Sequence, residues 1–172
     1  MPPGLIIRPG TPGDAPFIQR VHEASIRGAP AGLYSRAELE SWAVALHMDR
    51  YIWAGNFLGE RYLLAEVEGE GRNLAGFSSW RPGVLVGLYI HPAWTGRGVA
   101  SALMDRAEDA IVADGATRIA LAASAVARPF YEKRGYHLIC RRDWKTRGGL
   151  VVAAYDMEKT LPAPAARFQM PR

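Results

Sequence analysis

The chain has 172 residues, of which 49% are hydrophobic and 22% are charged, and it carries a net charge of +4 and one cysteine. This length and composition indicate one globular domain with a single core, and they exclude a collagen-like chain, a low-complexity chain and an internal disulfide framework. The modest basic excess favours an anionic partner, either a phosphate-bearing small molecule or a nucleic acid.

The first third of the chain predicts a strand, two helices and a loop. The sequence Thr11-Pro12-Gly13-Asp14 supplies a capping threonine, a proline at the first helical position and an acid three residues after the cap. Ser35 caps the second helix, and Trp42 falls on its apolar stripe, which favours a place in the core. The predicted bounds are Leu5–Arg8 for the strand, Ala15–Ile26 and 35–47 for the helices, and Asp49–Arg61 for the loop.

The rest of the chain predicts six strands and two helices. Val84–Ile90 is a nearly continuous apolar run, typical of a strand covered on both faces, and Gly87 inside it indicates a bulge or a close backbone approach. A strand, a long helix and a strand in succession predict a parallel pair in a mixed, mostly antiparallel sheet. The predicted strands are Tyr62–Glu68, Leu74–Trp80, Val84–Ile90, Thr117–Ala123, His137–Arg142 and Leu150–Met157, and the helices are Val99–Asp114 and Ala127–Arg134.

Membrane, secretion and metal signals are weak. The longest apolar runs fall far short of the roughly 20 residues that cross a bilayer. The opening residues lack the basic region and long apolar stretch of a secretion signal. Four scattered histidines and one cysteine do not form a metal-binding pattern. We therefore expect a cytoplasmic protein that neither spans a membrane nor binds a metal.

The stretch Leu88–Ala100 ends a strand, makes a Gly-rich turn and begins a helix. A helix N-terminus exposes unpaired N–H groups and carries about half a positive charge. Gly96 and Gly98 let the backbone approach an anion, and Arg97 adds a charge between them, which predicts a pyrophosphate cradle. The stretch is not a Walker A loop, because no Gly-Lys-Ser/Thr sequence follows. It is not a dinucleotide fingerprint either, because Ser101 stands where the third glycine would be. The alternative is a turn that needs glycines only for its shape.

A second stretch, Ala127–Tyr136, reads ARPFYEKRGY and follows one helix and one strand later. Together the two stretches, with the order of elements around them, resemble the GCN5-related N-acetyltransferases from Ile6 to about Leu161. The resemblance implies an α+β domain of about seven strands with helices on both faces and a splayed parallel pair. It also implies an acetyl-CoA-binding N-acetyltransferase domain over residues 1–161, followed by a disordered tail over 162–172.

The resemblance assigns roles to individual residues. Acetyl-CoA would lie in the wedge between the splayed strands, with its pantetheine arm paired to strand backbone. Tyr131 would protonate the leaving thiolate, and the N–H of Ile90 would stabilise the oxyanion. The alternative for Tyr131 is packing beside Phe130. The implied acetyl-CoA-binding residues are Leu88, Tyr89, Ile90, Thr95, Gly96, Arg97, Gly98, Val99, Ala100, Ser101, Ser124 and Tyr131.

Three positions depart from the family pattern. Thr95 stands where Gln or Arg is common, Ser124 where many members have Asn, and Val84 where many have a Glu that acts as general base. No base is therefore singled out, and deprotonation of the amine in bulk water stays an alternative. The candidates for a base are His22, Glu23, Glu66, Glu68, His91 and Asp143.

The acceptor side is predicted to involve residues 28–42. Tyr34 and Trp42, together with the neighbouring Arg27, could line a pocket, and Glu38 could pair with a cationic amine. The basic stretch Lys133–Arg147 could hold the 3′-phosphoadenosine end of CoA, bind RNA, or be a solvated face. Its predicted CoA contacts are Lys133 or Arg134, whereas Cys140 is expected to be a small buried hydrophobe.

The predicted function is transfer of an acetyl group from acetyl-CoA to a primary amine of a small molecule. The attack is direct, because no Ser–His or Cys–His nucleophile set is visible. The partners are then acetyl-CoA and the amine acceptor, and nucleic acid is not expected among them. The alternatives are an acceptor amine on a protein or an aminoacyl-tRNA, and a CoA-binding module without catalysis. The last strands could also pair two copies as a homodimer.

Overall fold

A computed structural model describes residues 3–44, 47–68 and 73–161. The predicted disordered tail over 162–172 lies outside these residues. The described residues form seven strands and five α-helices. The strands are β1 Leu5–Pro9, β2 Arg61–Val67, β3 Asn73–Arg81, β4 Val84–Ile90, β5 Arg118–Ser124, β6 His137–Lys145 and β7 Val151–Thr160, and the helices are α1 Ala15–Arg27, α2 Arg36–Ala43, α3 Met48–Leu58, α4 Val99–Ala113 and α5 Arg128–Lys133.

The strands form one sheet in the order β1-β2-β3-β4-β5-β7-β6. Every neighbouring pair is antiparallel except β4 and β5, which run parallel because the long helix α4 connects them across the sheet. The predicted α+β class with a mixed, mostly antiparallel sheet of seven strands is confirmed.

Helices cover both faces of the sheet. On one face, Ile18 and Val21 of α1 and Tyr51 of α3 pack against Leu64 and Phe77. On the other face, α4 packs against β2 and β3 and against the β5–β7 end of the sheet, burying side chains such as Leu103, Met104 and Ile111 completely. The central strands are therefore fixed from both sides, and their geometry is set by the core.

The beginning of α1 is fixed by a buried carboxylate. Asp14 accepts hydrogen bonds from the N–H and hydroxyl of Thr11, and Arg8 of β1 bridges it to Glu66 of β2. The Arg8 guanidinium holds the pKa of Asp14 well below its usual range. The predicted capping sequence thus anchors the helix to the sheet through a charge network.

Two predictions about the first third are wrong. Residues 49–61 were predicted to form a loop, but α3 occupies Met48–Leu58, with Tyr51 and Ala54 buried. The second helix ends at Ala43 and not near His47, because Val44 turns to an extended conformation with ψ 147°.

No helix within the described ranges is both long enough and apolar enough to cross a membrane.

Candidate active site

The parallel strands β4 and β5 separate soon after they begin to pair. Within the described chain their register contains only Val84 with Ala120 and Leu85 with Leu121. Beyond Leu85, the edge of β4 that faces β5 lacks a strand partner, so its backbone N–H and C=O groups face a wedge. An extended ligand can pair with such an edge as an added strand would.

A bulge in β4 shapes this wedge. Ser79 of β3 pairs with Gly87, and the next residue, Trp80, pairs with Leu85, so Val86 is the extra residue. A β-carbon at Gly87 would lie 2.9 Å from Cε2 of Tyr89, too close for any other residue without displacing that ring. Gly87 therefore lies next to a bulge and also approaches Tyr89 closely, so both features that the sequence indicated are present.

The Gly-rich turn presents free backbone donors. Gly98 is the N-cap of α4 and has a positive φ of 83°, which favours glycine, and no side chain caps this end. The first intrahelical hydrogen bond at this end runs from the N–H of Ala102 to the carbonyl of Gly98. The N–H groups of the preceding first-turn residues therefore have no intrahelical partner. No acidic residue lies in this turn, so the end of α4 is open to an anion.

One cleft of about 680 Å³ collects almost the whole predicted cofactor set. Of the twelve residues named from the resemblance, only Arg97 does not line the cleft; its guanidinium lies 5.0 Å from the centre of the Trp94 ring. The predicted residues that line it are Leu88, Tyr89, Ile90, Thr95, Gly96, Gly98, Val99, Ala100, Ser101, Ser124 and Tyr131.

Tyr131 extends from the short helix α5 into the wall of this cleft. Its side chain is 5% exposed and packs edge-on against Phe130 and Tyr136, with ring centroids 5.4 and 5.6 Å away. Burial raises the pKa of Tyr131, and the nearby phenol of Tyr89 adds to the effect. Tyr131 therefore stays protonated at neutral pH, which is the state that a proton donor needs.

Ser124 and Tyr34 line the cleft and both accept hydrogen bonds from the turn between β5 and α5. The hydroxyl of Ser124 accepts a hydrogen bond of 3.2 Å from the N–H of Ala127, which shapes the turn before α5. The hydroxyl of Tyr34, from the segment between α1 and α2, accepts a hydrogen bond of 2.8 Å from the N–H of Ala125. The first third of the chain is thereby tied to the loop that leads to Tyr131.

Tyr34 and Trp42 line the cleft and form an aromatic wall with Trp144, which contacts Trp42. Tyr34 meets Trp42 edge to face with centroids 5.8 Å apart, and Trp42 meets Trp144 of β6 in the same way at 5.3 Å. Trp42 is half-buried: it packs against the small core cluster of Ile26 and Ala43, as its apolar stripe predicted, and it also lines the cleft together with Tyr34, as the alternative predicted. Arg27, the third residue of that alternative, does not line the cleft and pairs with Glu23 and Glu40.

None of the six candidate bases lines the described cleft. His22 is buried on the far side of Tyr89, where its ring lies 3.8 Å from the Tyr89 ring and its Nδ1 lies 3.0 Å from the Tyr51 hydroxyl. Burial lowers the pKa of His22 to about 3, so the ring is neutral. The other five candidates lie outside the cleft: Glu23 pairs with Arg27, Glu66 with Arg8 and Asp143 with Arg141, His91 caps a turn, and Glu68 is exposed.

The structure also places three residues of the basic stretch. Arg134 is held by Asp105 and Glu108 at 2.6 and 3.3 Å, whereas Lys133 is exposed, and a CoA contact at either residue stays a prediction. Cys140 is exposed and not buried, because β6 is the edge strand and nearly all of its residues face solvent. Sequence reasoning also missed Trp94 and Phe130 in the cleft, although both lie inside the two stretches that carried the resemblance.

Comparison with known proteins agrees with this geometry. The model of the acetyltransferase (GNAT) domain family matches residues 33–161. A GCN5-related N-acetyltransferase from Rhodopseudomonas palustris is 33% identical, with a TM-score of 0.81 over 91% of this chain and 95% of that chain.

Two structures with lower identity share the fold. One is a PaiA N-acetyltransferase from Thermoplasma acidophilum in complex with coenzyme A, 23% identical with a TM-score of 0.68 over 91% of this chain and 98% of that one. The other is yncA from Salmonella typhimurium with its cofactor acetyl-CoA, 20% identical with a TM-score of 0.67 over 94% and 96%. The chain therefore belongs to the GCN5-related N-acetyltransferase family, and it is an acetyl-CoA-dependent acyltransferase.

Proposed function

We propose that this acyltransferase moves the acetyl group of acetyl-CoA to the primary amine of a small molecule by direct attack. The observation that carries the proposal is one cleft in which three features meet: the open end of α4, the unpaired edge of β4 and the buried phenol of Tyr131. Each feature matches one part of acetyl-CoA, namely its pyrophosphate, its pantetheine arm and its sulfur.

The donor half follows from simple chemistry. The free N–H groups of Val99, Ala100 and Ser101 would hold the pyrophosphate, since a helix N-terminus attracts anions. The β4 backbone from Leu88 to Ile90 would pair with the pantetheine arm. Thr95 and Ser124 contribute side chains where many relatives have longer ones, so the backbone carries most of the proposed binding.

The chemical step requires a nucleophile, a place for negative charge and a proton donor. The lone pair of the amine attacks the thioester carbonyl carbon, a C–N bond forms and the C–S bond breaks. The N–H of Ile90 is proposed to stabilise the oxyanion. Tyr131 gives its proton to the thiolate and regains one from solvent, and the proton of the amine leaves to water.

The alternative that the acceptor amine belongs to a protein or an aminoacyl-tRNA depends on the basic stretch Lys133–Arg147. Part of that stretch is already paired, since Arg142 bonds Asp156 at 2.9 Å and Arg134 is held by two acids. These pairs support a small molecule as the acceptor.

A cytoplasmic location remains a prediction from the sequence, as does the domain boundary at residue 161.

A homodimer is proposed through β6. This edge strand exposes Leu138 and Ile139, which are 40% and 57% exposed, and a strand edge is a template for pairing. Light scattering at high protein concentration tests this proposal. A mass of one chain would refute it.

Thermal unfolding with and without acetyl-CoA tests the donor site, with ATP as a phosphate control. Ligand at 100 times its dissociation constant stabilises a protein by about 2.7 kcal/mol, a rise of roughly 5–10 °C for a chain of this size. A rise with acetyl-CoA but not with ATP supports the site. No rise with acetyl-CoA would refute the proposed binding, and binding without acetylation of any amine would favour the non-catalytic alternative.

A further inference from the structure

The aromatic wall of the acceptor side is held in place by a closed hydrogen-bond ring. The N–H of Leu150 donates to Ser41 Oγ at 3.2 Å, and Thr146 Oγ1 donates to the carbonyl of Leu150 at 2.9 Å. Because that donor is already used, the 2.5 Å contact between Ser41 and Thr146 is donated by Ser41. The ring fixes the β6–β7 turn against α2, next to the contact between Trp42 and Trp144.

The rings of the wall are held by contacts to several elements. Trp42 packs edge to face with both Trp144 and Tyr34, and the Tyr34 hydroxyl accepts a hydrogen bond from the N–H of Ala125. A fixed aromatic surface favours a flat ligand, since ring packing depends on geometry and needs little ordering when the wall is already formed.

The lining of the cleft is uncharged. Among the described residues that line it, six are aromatic and none carries a carboxylate, an ammonium, a guanidinium or an imidazole. The two acids of α2, the helix that carries Trp42, already have partners: Glu38 accepts a hydrogen bond from the N–H of Ser35, and Glu40 pairs with Arg27. A protonated amine entering this cleft would lose water without gaining a counter-charge, which is unfavourable.

The chemical step also requires that the amine be neutral. An alkylamine is protonated near neutral pH and must lose a proton before it attacks, and no described lining residue can take that proton. The nitrogen of an aromatic amine is neutral at this pH. After it attacks, the N–H of the adduct is acidic enough for water to remove.

We infer that the acceptor is a neutral aromatic amine whose ring lies against Trp42 and Tyr34. This inference rests on the proposed function. The nitrogen lone pair forms the C–N bond, the C–S bond breaks, water takes the nitrogen proton, and the thiolate takes the proton of Tyr131. The products are an aryl acetamide and CoA. Trp42 and Tyr34 determine specificity.

The test compares aniline with benzylamine, which has the same ring but a protonated nitrogen at pH 7, and products are quantified by mass spectrometry. We expect kcat/KM for aniline to exceed that for benzylamine by about tenfold or more at pH 7. The gap should narrow at pH 9, as benzylamine loses its proton. Equal or better use of benzylamine at pH 7 would overturn the inference and indicate that the aromatic wall binds a cation instead.

A matched pair of variants tests the wall itself. Trp42→Leu should lower kcat/KM for aniline by about tenfold, while Trp53→Leu, on the exposed face of α3, should leave it unchanged. The rise in melting temperature with acetyl-CoA is measured for both, so that a misfolded variant is recognised. If Trp42→Leu misfolds, Tyr34→Leu takes its place with the same expectation.

The possible failures can be told apart. If the wild-type protein gains stability with acetyl-CoA but acetylates only cationic amines, the aromatic-amine inference fails and the proposed function survives. The inference also fails if the wall variant binds acetyl-CoA and acetylates aniline at the wild-type rate. If acetyl-CoA gives no stabilisation at all, the proposed function fails, and the inference fails with it.

Discussion

The two sides of the cleft are made from different kinds of atoms. The proposed donor side is mainly backbone, namely the free N–H groups at the start of α4 and the unpaired edge of β4. The proposed acceptor side consists of side chains from distant parts of the chain, with Trp42 of α2 packed on Trp144 of β6. Backbone geometry is common to a fold, whereas side chains are particular to a protein. This difference explains why the donor could be recognised from short stretches and the acceptor could not.

Tyr131 stands between the two sides, and its loss should have the largest effect. We expect Tyr131→Phe to lower kcat by about 100- to 10,000-fold, because a positioned general acid contributes that much. The KM for acetyl-CoA should change little, since the phenyl ring still fills its place. Steady-state kinetics measure both quantities. Tyr62→Phe is the control, because Tyr62 lines a different cavity, and an unaltered rate in Tyr131→Phe would mean that another group protonates the thiolate.

Acid should lower the stability of the whole fold through His22, which is buried behind Tyr89 of β4. The unfolded chain binds a proton at this histidine near pH 6.5, whereas burial and the nearby charge of Arg50 lower its folded pKa to about 3. The contribution of His22 to stability is therefore fully present above about pH 6.5, and between about pH 6.5 and 3 it falls by up to about 1.4 kcal/mol for each pH unit. Urea unfolding at pH 7, 6 and 5 measures this slope.

A matched pair of histidine variants checks the origin of that slope. His22→Gln should flatten the pH dependence between pH 7 and 5, while His137→Gln, at an exposed position of β6, should keep it. If both variants retain the wild-type slope, the acid sensitivity arises elsewhere, and the buried ring has no part in it.

The backbone of the donor side can be perturbed at Gly98. Gly98→Val should weaken acetyl-CoA binding by about tenfold, because a branched residue at this positive φ costs about 1–2 kcal/mol and would shift the N–H groups that follow. Gly115→Val introduces the same strain just beyond the other end of α4, where φ is 86°. Both variants should lose stability, but only the first should lose affinity in titration calorimetry. Equal affinities of the two variants for acetyl-CoA would mean that the start of α4 does not bind the donor.

Side chains on the donor side should matter least. Thr95→Ala should raise the dissociation constant of acetyl-CoA by less than about fivefold, since a neutral hydrogen bond at an exposed site contributes about 1 kcal/mol or less. The same calorimetric titration measures it. A loss well beyond this range would mean that the threonine hydroxyl, and not the backbone around it, dominates the turn.

The sequence was sufficient wherever the signal is local. The continuous apolar run of β4 and the paired glycines before α4 are visible within a few residues, and both were located correctly. Helix α3 was missed because Trp53 and Phe57 face outward at 51% and 73% exposure and disturb the apolar period. Where large apolar side chains are exposed, helical periodicity cannot be recognised.

Other features depend on contacts that the sequence does not show. Trp42 follows the apolar stripe of its helix, yet it packs on Trp144, about a hundred positions away along the chain. His22 could not be removed from the candidate bases until its burial behind Tyr89 was known. Likewise, the exposure of Cys140 follows from the position of β6 at the sheet edge, which is a property of the strand order.

That exposed sulfur has a practical consequence. The sequence contains a single cysteine, and its thiol faces outward from the edge strand, so a maleimide spin label attaches at one known point without any mutation. Two labels would lie close together if two chains meet along this strand. Pulsed electron spin resonance on the labelled wild-type protein would then report the spacing between copies in solution, and adding acetyl-CoA would reveal whether that spacing changes when the donor binds.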